Sequence, residues 1–340
     1  MRRAAVASVL VFSVGVASGW LGLMGVRPLS AGQPASPKVF TDPAQAGPDF
    51  ADQGEYVGQV QTDSGPVKYG AQVIALGDGK FHAVGYPGGL PGDGWDGSEK
   101  VQTDGQRQTD RIVFSLPEGR KAELRGGVIT VLDADGRQIA KLQKVERRSP
   151  TLGAKPPAGA VVLFDGTTAD HFQGGRMTPD GLLMEGATSK QKFGSCTIHV
   201  EFRTPFMPYA RGQGRGNSGV YAQARYEVQI LDSFGLEGLD NECGGIYGVA
   251  RPKVNMCFPP LSWQTYDIEF RAAKWHDGKL VERPRMTVRH NGVLIHENVE
   301  LPSATRAAPL PEGPEKGPLF LQNHGCPVRF RNIWIVEKNE

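Results

Sequence analysis

From Tyr56 onward the sequence consists of short apolar runs that alternate with polar residues and end in turn residues, and this pattern most constrains its fold. We find no apolar helical period longer than about three turns in this region. The 45 glycines and 25 prolines of the 340-residue chain suit short strands joined by many turns. The sequence therefore predicts an all-β protein.

Two groups of strand runs follow each other along the chain. Residues 55–146 contain hairpin patterns, such as VITVLDADGRQIAKL around the turn at 133–136, and predict a small β-meander or barrel-like domain. The stretch 147–160, which contains several prolines, predicts a linker. About a dozen strand runs without crossover helices over 161–340 predict a two-sheet β-sandwich.

The N-terminal residues 1–32 predict targeting out of the cytoplasm. Arg2 and Arg3 precede the uncharged apolar run 4–26, and small residues follow it. Such a segment is either a cleaved signal peptide or an uncleaved membrane anchor, and both place the rest of the chain in the periplasm or outside the cell. Residues 33–54, rich in Pro, Ala and Ser, predict a disordered tether.

A glycine-rich loop interrupts the strand pattern of the first domain. The sequence YPGGLPGDGWDGSEK at 86–100 carries Trp95 and two aspartates. It is either a binding loop or lid, or a flexible connector between two strands.

The four cysteines are Cys196, Cys243, Cys257 and Cys326. An even number in an oxidising compartment predicts disulfides, and Cys243 with Cys257 is the nearest pair and the candidate bridge. Zinc binding is the weaker interpretation, because none of the four belongs to a Cys-x-x-Cys pair.

Charge and motif content exclude several functions. The 38 basic and 36 acidic residues nearly cancel, leaving a net charge of +2. Basic residues are not interleaved with aromatic ones, so no nucleic-acid partner is expected, and a membrane contact is expected only through the N-terminus. Serine-hydrolase elbows, phosphate loops, His-Glu-x-x-His and dinucleotide fingerprints do not occur in the sequence.

Strand alternation places unusually polar side chains on one face of three strands of the second domain. Glu201 lies in CTIHVEFR, Glu227 and Gln229 lie in YEVQILD, and Arg329 and Arg331 lie in VRFRNIWI. On a curved sheet such a face forms a groove suited to sugar hydroxyls. The alternative is a set of cross-strand ion pairs, each worth under about 1 kcal/mol.

Loops extend this polar set. The segment GQGRGNSG supplies Asn217, ECGGIYG supplies Tyr247, and LQNHGCP supplies Asn323 and His324. His324, before a glycine turn, is either an acid/base group or metal ligand, or a structural histidine bonded to a loop carbonyl.

The segments HVEFRTP, GNSGVY, YEVQILDS, CGGIYG, SWQTYDIEF and NHGCPVRFRNIWI, in this order, resemble the 3-keto-disaccharide hydrolase domain family of exported bacterial proteins. The resemblance covers residues 160–337. It implies a concanavalin-like jelly-roll sandwich and cleavage of glycosides or disaccharides that a separate oxidoreductase has oxidised at sugar carbon 3. It also implies a base for the proton on carbon 2, an acid for the leaving oxygen, and donors or a divalent metal ion for the enediolate.

The resemblance and the polar face together give the predicted site. The predicted catalytic groups are Glu227, Glu201, His324 and Asp232, the last of which is alternatively a turn residue. The predicted substrate-binding groups are Gln229, Asn217, Tyr221, Arg225, Tyr247, Asn323, Arg329 and Arg331. Two other functions fit the same residues, a classical glycosidase with two carboxylates and a non-catalytic carbohydrate-binding module.

Overall fold

The computed structural model of the protein describes residues 38–62 and 64–338, which form a closed β-barrel followed by a two-sheet β-sandwich. The predicted all-β fold is confirmed. Short helices lie at Pro43–Gln45, Gly47–Asp52 (α1), Pro117–Gly119 and Gly212–Gly214. None of the described helices is long and apolar enough to cross a membrane. The predicted signal peptide or anchor at 1–32 lies outside the described residues.

Eight strands in meander order close the barrel. They are β1 (Gly54–Thr62), β2 (Gly65–Gly77), β3 (Lys80–Pro87), β4 (Val101–Gln108), β5 (Arg111–Ser115), β6 (Lys121–Arg125), β7 (Val128–Leu132) and β8 (Gln138–Val145). Each strand pairs antiparallel with its neighbours in the chain, and β1 also pairs with β8. Closure satisfies the backbone groups that an edge strand would leave unpaired.

Fourteen further strands follow those of the barrel along the chain. They are β9 (Val161–Phe164), β10 (Phe172–Gln173), β11 (Leu183–Met184), β12 (Ala187–Phe193), β13 (Cys196–Arg203), β14 (Ser218–Ala222), β15 (Tyr226–Ile230), β16 (Gln264–Arg271), β17 (Lys274–His276), β18 (Lys279–Glu282), β19 (Arg285–His290), β20 (Val293–Glu300), β21 (Gly317–Leu321) and β22 (Arg329–Glu337). Of these fourteen strands, twelve form the two sheets of the sandwich, and β17 and β18 pair in a separate two-stranded sheet. The small sheet of the sandwich has the order β10-β12-β21-β14-β15. The large sheet has the order β11-β22-β13-β16-β19-β20, with β9 also paired to β22.

The two sheets share one hydrophobic core. Ile198 and Val200 of β13, in the large sheet, and Val228 and Ile230 of β15, in the small sheet, are buried in the same cluster. Side chains alternate between the two faces of a strand, so the polar residues between these apolar ones point away from the core. The polar faces of β13 and β15 therefore lie on opposite sides of the sandwich.

The barrel packs directly against the sandwich. Ile74, Val84 and Tyr86 of β2 and β3 belong to the sandwich core cluster, and Phe206 of the sandwich belongs to the barrel core cluster. The barrel and the sandwich are therefore held together by apolar contacts as well as by the chain segment that connects them.

The predicted tether and linker are both structured where they are described. In the first, the backbones of Phe40 and Phe206 exchange hydrogen bonds of 3.0 and 2.9 Å, and α1 follows. We call residues 149–154 of the second segment the strap, because they cross the outer face of the large sheet. There Ser149 Oγ lies 2.6 Å from Thr265 Oγ1, and the Gly153 N–H donates to Glu201 Oε1 at 2.5 Å. Backbone and hydroxyl contacts of this kind leave no hydrophobic period in a sequence.

All four cysteines are buried free thiols, so the predicted disulfide is not formed. Cys243 Sγ lies 3.2 Å from the Tyr266 hydroxyl, and the Cys257 thiol points to the Leu231 carbonyl at 3.5 Å. In this core the thiols act as small apolar groups with weak hydrogen bonds.

The glycine-rich loop at 86–100 lies against the sandwich. Lys100 Nζ is 2.6 Å from Glu237 Oε1, and the Trp95 ring meets Tyr86 edge-on at 5.2 Å between centroids. At Gly92 an added Cβ would lie 2.4 Å from Met256 Sδ, so only glycine allows this close approach. The loop thus forms part of the contact between barrel and sandwich.

Candidate active site

The hairpin of β14 and β15 carries the polar residues on the outer face of the small sheet. In its register Tyr221 lies opposite Glu227, and Gly219 lies opposite Gln229. The intervening Val220 and Val228 belong to the core. Alternation therefore brings Tyr221, Glu227 and Gln229 to one outward face.

Glu227 is a buried carboxyl group without an ion-pair partner among the described residues. It is 2% exposed, and burial raises its pKa to about 8, while a hydrogen bond from the Tyr221 hydroxyl acts to lower the pKa. The carboxyl group therefore keeps its proton at neutral pH and ionises just above it. A carboxylate with this pKa is a stronger base than an ordinary one.

Tyr221 is fully buried beside this carboxyl group. Its hydroxyl accepts a hydrogen bond from Gln322 Nε2 at 3.0 Å. Burial raises the pKa of Tyr221 strongly, and the charge of Glu227 adds to the rise. The phenol thus remains a hydrogen-bond donor at every working pH.

Amide side chains surround this pair. Gln213 accepts from Asn217 Nδ2 and from Gln229 Nε2, both at 3.0 Å. Asn217 Oδ1, Gln229 Oε1 and Gln322 Oε1 are buried and have no partner among the described residues. An unpaired buried acceptor costs about 1–3 kcal/mol, so these three oxygens require a hydrogen-bond donor, which a bound water or a ligand hydroxyl would supply. We call Asn217, Tyr221, Glu227, Gln229 and Gln322 the Glu227 cluster.

A loop completes this side of the sheet by pairing with the free edge of β15. The N–H of Gln229 donates to Gly245 O at 2.9 Å, and the N–H of Gly244 donates to Gln229 O at 3.0 Å. The Tyr247 N–H donates to Glu227 O at 3.2 Å. The predicted rim residue Tyr247 therefore lies next to the cluster.

Gly219 gives the Glu227 carboxyl group its space. A Cβ at this position would lie 2.2 Å from Glu227 Oε1 and 2.9 Å from Tyr221 Cε2. We expect Gly219→Ala to displace the carboxyl group, to lower turnover, and to cost about 1–3 kcal/mol of stability by overpacking. Steady-state kinetics with a urea unfolding curve checks this. Gly214→Ala, where an added Cβ meets nothing within 4 Å, is the control, and unchanged kinetics in Gly219→Ala would contradict the prediction.

Glu201 lies on the other side of the sandwich, so the structure does not bring it to Glu227. It is on β13 of the large sheet, beneath the strap, with Arg331 Nε 2.7 Å from its Oε2. Burial acts to raise the pKa of Glu201, but hydrogen bonds from His199, Asn332, the Gly153 N–H and Arg331 lower it to about 2. The Glu201 carboxylate binds the strap through its hydrogen bond from Gly153, and its low pKa makes it a poor base.

The predicted arginines of β22 are on the same side as Glu201. Arg331 stacks over the Trp263 ring at 4.0 Å, in addition to its ion pair with Glu201. Arg329 forms an ion pair with Glu185 at 2.6 Å. Both guanidinium groups are used within the large sheet, away from the Glu227 cluster.

Asp232 and Arg225 also have structural partners. Asp232 Oδ2 accepts from Arg215 Nε at 2.6 Å in a buried ion pair just after β15. Arg225 donates to the carbonyls of Pro311 and Glu315 at 2.6 and 2.9 Å and so fixes the loop before β21. Neither side chain is available to a substrate in this arrangement.

Asn323 and His324 lie on the exposed turn that follows β21. Asn323 Oδ1 accepts from the Gly325 N–H at 2.9 Å, which fixes the turn. The turn directly follows Gln322 of the cluster, so His324 stays a candidate acid at its border.

Two residues at the Glu227 cluster, Gln213 and Gln322, were not among those predicted from the sequence. A signal was available for Gln322, because alternation along β21 places it outward, two positions after Phe320. Gln213 lies in a short 3₁₀ turn, and only the folded chain shows that it joins Asn217 to Gln229.

The cluster does not have the donor set of a metal centre. Its members are one carboxyl group, one phenol and three amides. Within residues 38–62 and 64–338 no group of three or more His, Cys, Asp and Glu side chains is placed to hold a metal ion.

The profile of the 3-keto-alpha-glucoside-1,2-lyase-like domain matches residues 159–336, just over half of the chain. The chain belongs to this family. The resemblance seen in the sequence is thereby confirmed. Membership identifies a carbohydrate-active enzyme, and the matched range contains the whole Glu227 cluster.

Two solved structures of candidate glycosyl hydrolases from Parabacteroides distasonis ATCC 8503 are similar to the chain. The first has 32% sequence identity and a TM-score of 0.48, covering 54% of this chain and 85% of that one. The second has 18% identity and a TM-score of 0.40, covering 53% of this chain and 94% of that one. Among curated proteins none matches the chain.

Proposed function

We propose that this protein cleaves the glycosidic bond of 3-keto-glycosides or disaccharides by elimination, with Glu227 as the base. The observation that carries the proposal is the buried, unpaired Glu227 carboxyl group with its pKa of about 8, next to amide oxygens without partners. The family profile supports the substrate class.

The reaction needs no oxidant, because the ketone at carbon 3 acidifies the hydrogen on carbon 2. Ionised Glu227 takes that proton, and the electron pair of the C–H bond enters the enolate. The pair then forms the double bond between carbons 1 and 2 while the bond from carbon 1 to the glycosidic oxygen breaks. The leaving oxygen takes one proton, for which we assign His324 or water. Addition of water to the double bond turns the elimination into net hydrolysis.

The rest of the cluster positions the sugar and steadies the enolate. Asn217, Gln229 and Gln322 offer acceptors for hydroxyl donors, and the Tyr221 phenol is a fixed donor beside the base. A classical glycosidase is less consistent with this geometry, because it needs two carboxyl groups across one bond, and the Glu227 cluster contains one.

We also propose the cellular location and the upstream reaction that the sequence predicts. The enzyme acts after export, by signal peptide or membrane anchor, on glycosides that a separate sugar 3-oxidoreductase has oxidised. Its sandwich is a concanavalin-like jelly roll, as the family resemblance implies.

A product assay on the purified protein tests the function. It offers 3-keto-glucosides beside their unoxidised parents, with and without a chelator. We expect cleavage of the keto sugars alone, and an unsaturated sugar or its hydrate as product. Cleavage of the parent sugars would assign a classical glycosidase, and binding of either sugar without cleavage would assign a carbohydrate-binding module. Loss of activity with chelator would show a metal requirement.

A further inference from the structure

One half of the barrel interior is filled and the other half is not. Phe81, Ile112 and Leu124 are buried in the filled half. The other half contains a cavity of about 170 Å³, lined by residues from all eight strands. A barrel of this size either fills its interior with side chains or holds one small ligand.

Small residues create this space. Ala71, Ala83, Gly85 and Ala122 line the cavity where larger residues would fill it. The Tyr69 ring lies across Gly85, where an added Cβ would be 2.8 Å from the phenolic oxygen. An apolar cavity of about 150 Å³ holds a benzene ring, so this one has room for a single six-membered ring.

An arginine side chain lies at the opening of the cavity. Arg120 lines it together with the apolar Leu116 and Val101. Its guanidinium group contacts Glu118 at 3.2 Å, but both side chains are solvent-exposed, at 40% and 79%, so this pair is weak. Its Nε also donates to the Pro117 carbonyl at 3.2 Å, which holds the side chain at the opening.

Tyr69 supplies a second polar group near Arg120. Burial raises the pKa of Tyr69, and the nearby charge of Arg120 acts against this rise. The hydroxyl of Thr103, the other polar side chain of the lining, already donates to the Ser115 carbonyl at 2.6 Å. The guanidinium and the phenol are therefore the groups that a ligand would meet.

We propose that the barrel binds a small monocyclic carboxylate, with its ring in the cavity and its carboxylate on Arg120 and Tyr69. An apolar lining with few polar groups is unsuited to a sugar, so this site differs in ligand class from the Glu227 cluster. The proposal does not depend on the glycoside activity.

Titration of the full chain with benzoate, followed by calorimetry, tests the proposal, with benzyl alcohol as the uncharged analogue. We expect saturable benzoate binding that weakens about tenfold in Arg120→Gln, while benzyl alcohol binding is unchanged. Arg125→Gln is the matched control, because Arg125 is 70% exposed and pairs with Asp110. A loss of benzoate affinity as large in Arg125→Gln as in Arg120→Gln would overturn the role of Arg120.

Filling the cavity gives the second test. We expect Ala122→Leu to abolish binding of both compounds while its circular dichroism stays that of the parent protein. Should this variant fail to fold, Ala83→Val makes the same test with a smaller group. Unchanged benzoate binding in a folded filled variant, or no saturable binding to the parent protein at millimolar benzoate, would overturn the proposal.

Discussion

Replacing Glu227 with Gln is expected to lower kcat on a 3-keto-glucoside by about 10²–10⁴-fold, with a much smaller change in KM. The amide occupies the space of the carboxyl group, and its oxygen still accepts from Tyr221, but it cannot take a proton from carbon 2. Steady-state kinetics with isothermal binding of the substrate separates turnover from affinity. Retention of full turnover in Glu227→Gln would exclude it as the base.

The pH dependence of kcat/KM, measured for the parent protein and for Glu227→Gln, tests the same assignment. Glu227 works as a base only when ionised, so kcat/KM of the parent protein should rise with pH and level off above its pKa of about 8. In Glu227→Gln the residual activity should lose this rise. A parent profile that is flat between pH 6 and 9 would contradict the assignment.

Stability gives an independent readout of the same group. Its folded pKa of about 8 lies above the ordinary value of 4.5, so the folded state favours the protonated form. The stabilisation from this proton is fully present below pH 4.5, declines as pH rises, and is lost above about 8. Since the amide does not titrate, urea midpoints of Glu227→Gln should lack this decline.

Glu201→Gln is the matched substitution on the other sheet. We expect it to keep turnover and to lower the unfolding temperature, because Glu201 bonds the strap and Arg331. The opposite result, with turnover lost in Glu201→Gln and retained in Glu227→Gln, would move the active site to the large sheet.

The sequence predicted Glu201 and Glu227 alike as catalytic residues. Strand alternation shows which side chains point away from the core, but it does not show which sheet they belong to. Glu201 and Glu227 occupy equivalent outward positions in their strands, and the sequence pattern correctly separates both from the core. Which sheet a strand joins depends on pairing between distant segments, such as β14 with β21. Alternation contains no such information, so one predicted groove became two opposite faces.

Ordered segments without a hydrophobic period were missed for a related reason. The strap binds the large sheet through hydroxyl, carbonyl and N–H groups of small residues, so its sequence looks like a linker. In contrast, the barrel was predictable, because its strands alternate and turn residues separate them. Local sequence patterns were enough to predict the strands and turns. Which polar side chains contact each other depends on the tertiary fold, so the sequence did not predict it.

Asp232→Asn is expected to destabilise the protein by about 3–5 kcal/mol while the folded molecules keep their turnover. Asp232 is 3% exposed and Arg215 is 5% exposed, and their side chains form an ion pair at 2.6 Å. The substitution removes the charge that compensates the buried guanidinium, whose Nη2 has no hydrogen-bond partner within residues 38–62 and 64–338. Urea unfolding with kinetics at a temperature where the variant is fully folded separates stability from catalysis. Glu297→Gln, in an exposed pair with Lys253, should leave the midpoint unchanged. A fully folded Asp232→Asn without turnover would instead restore the catalytic role that the sequence suggested for Asp232.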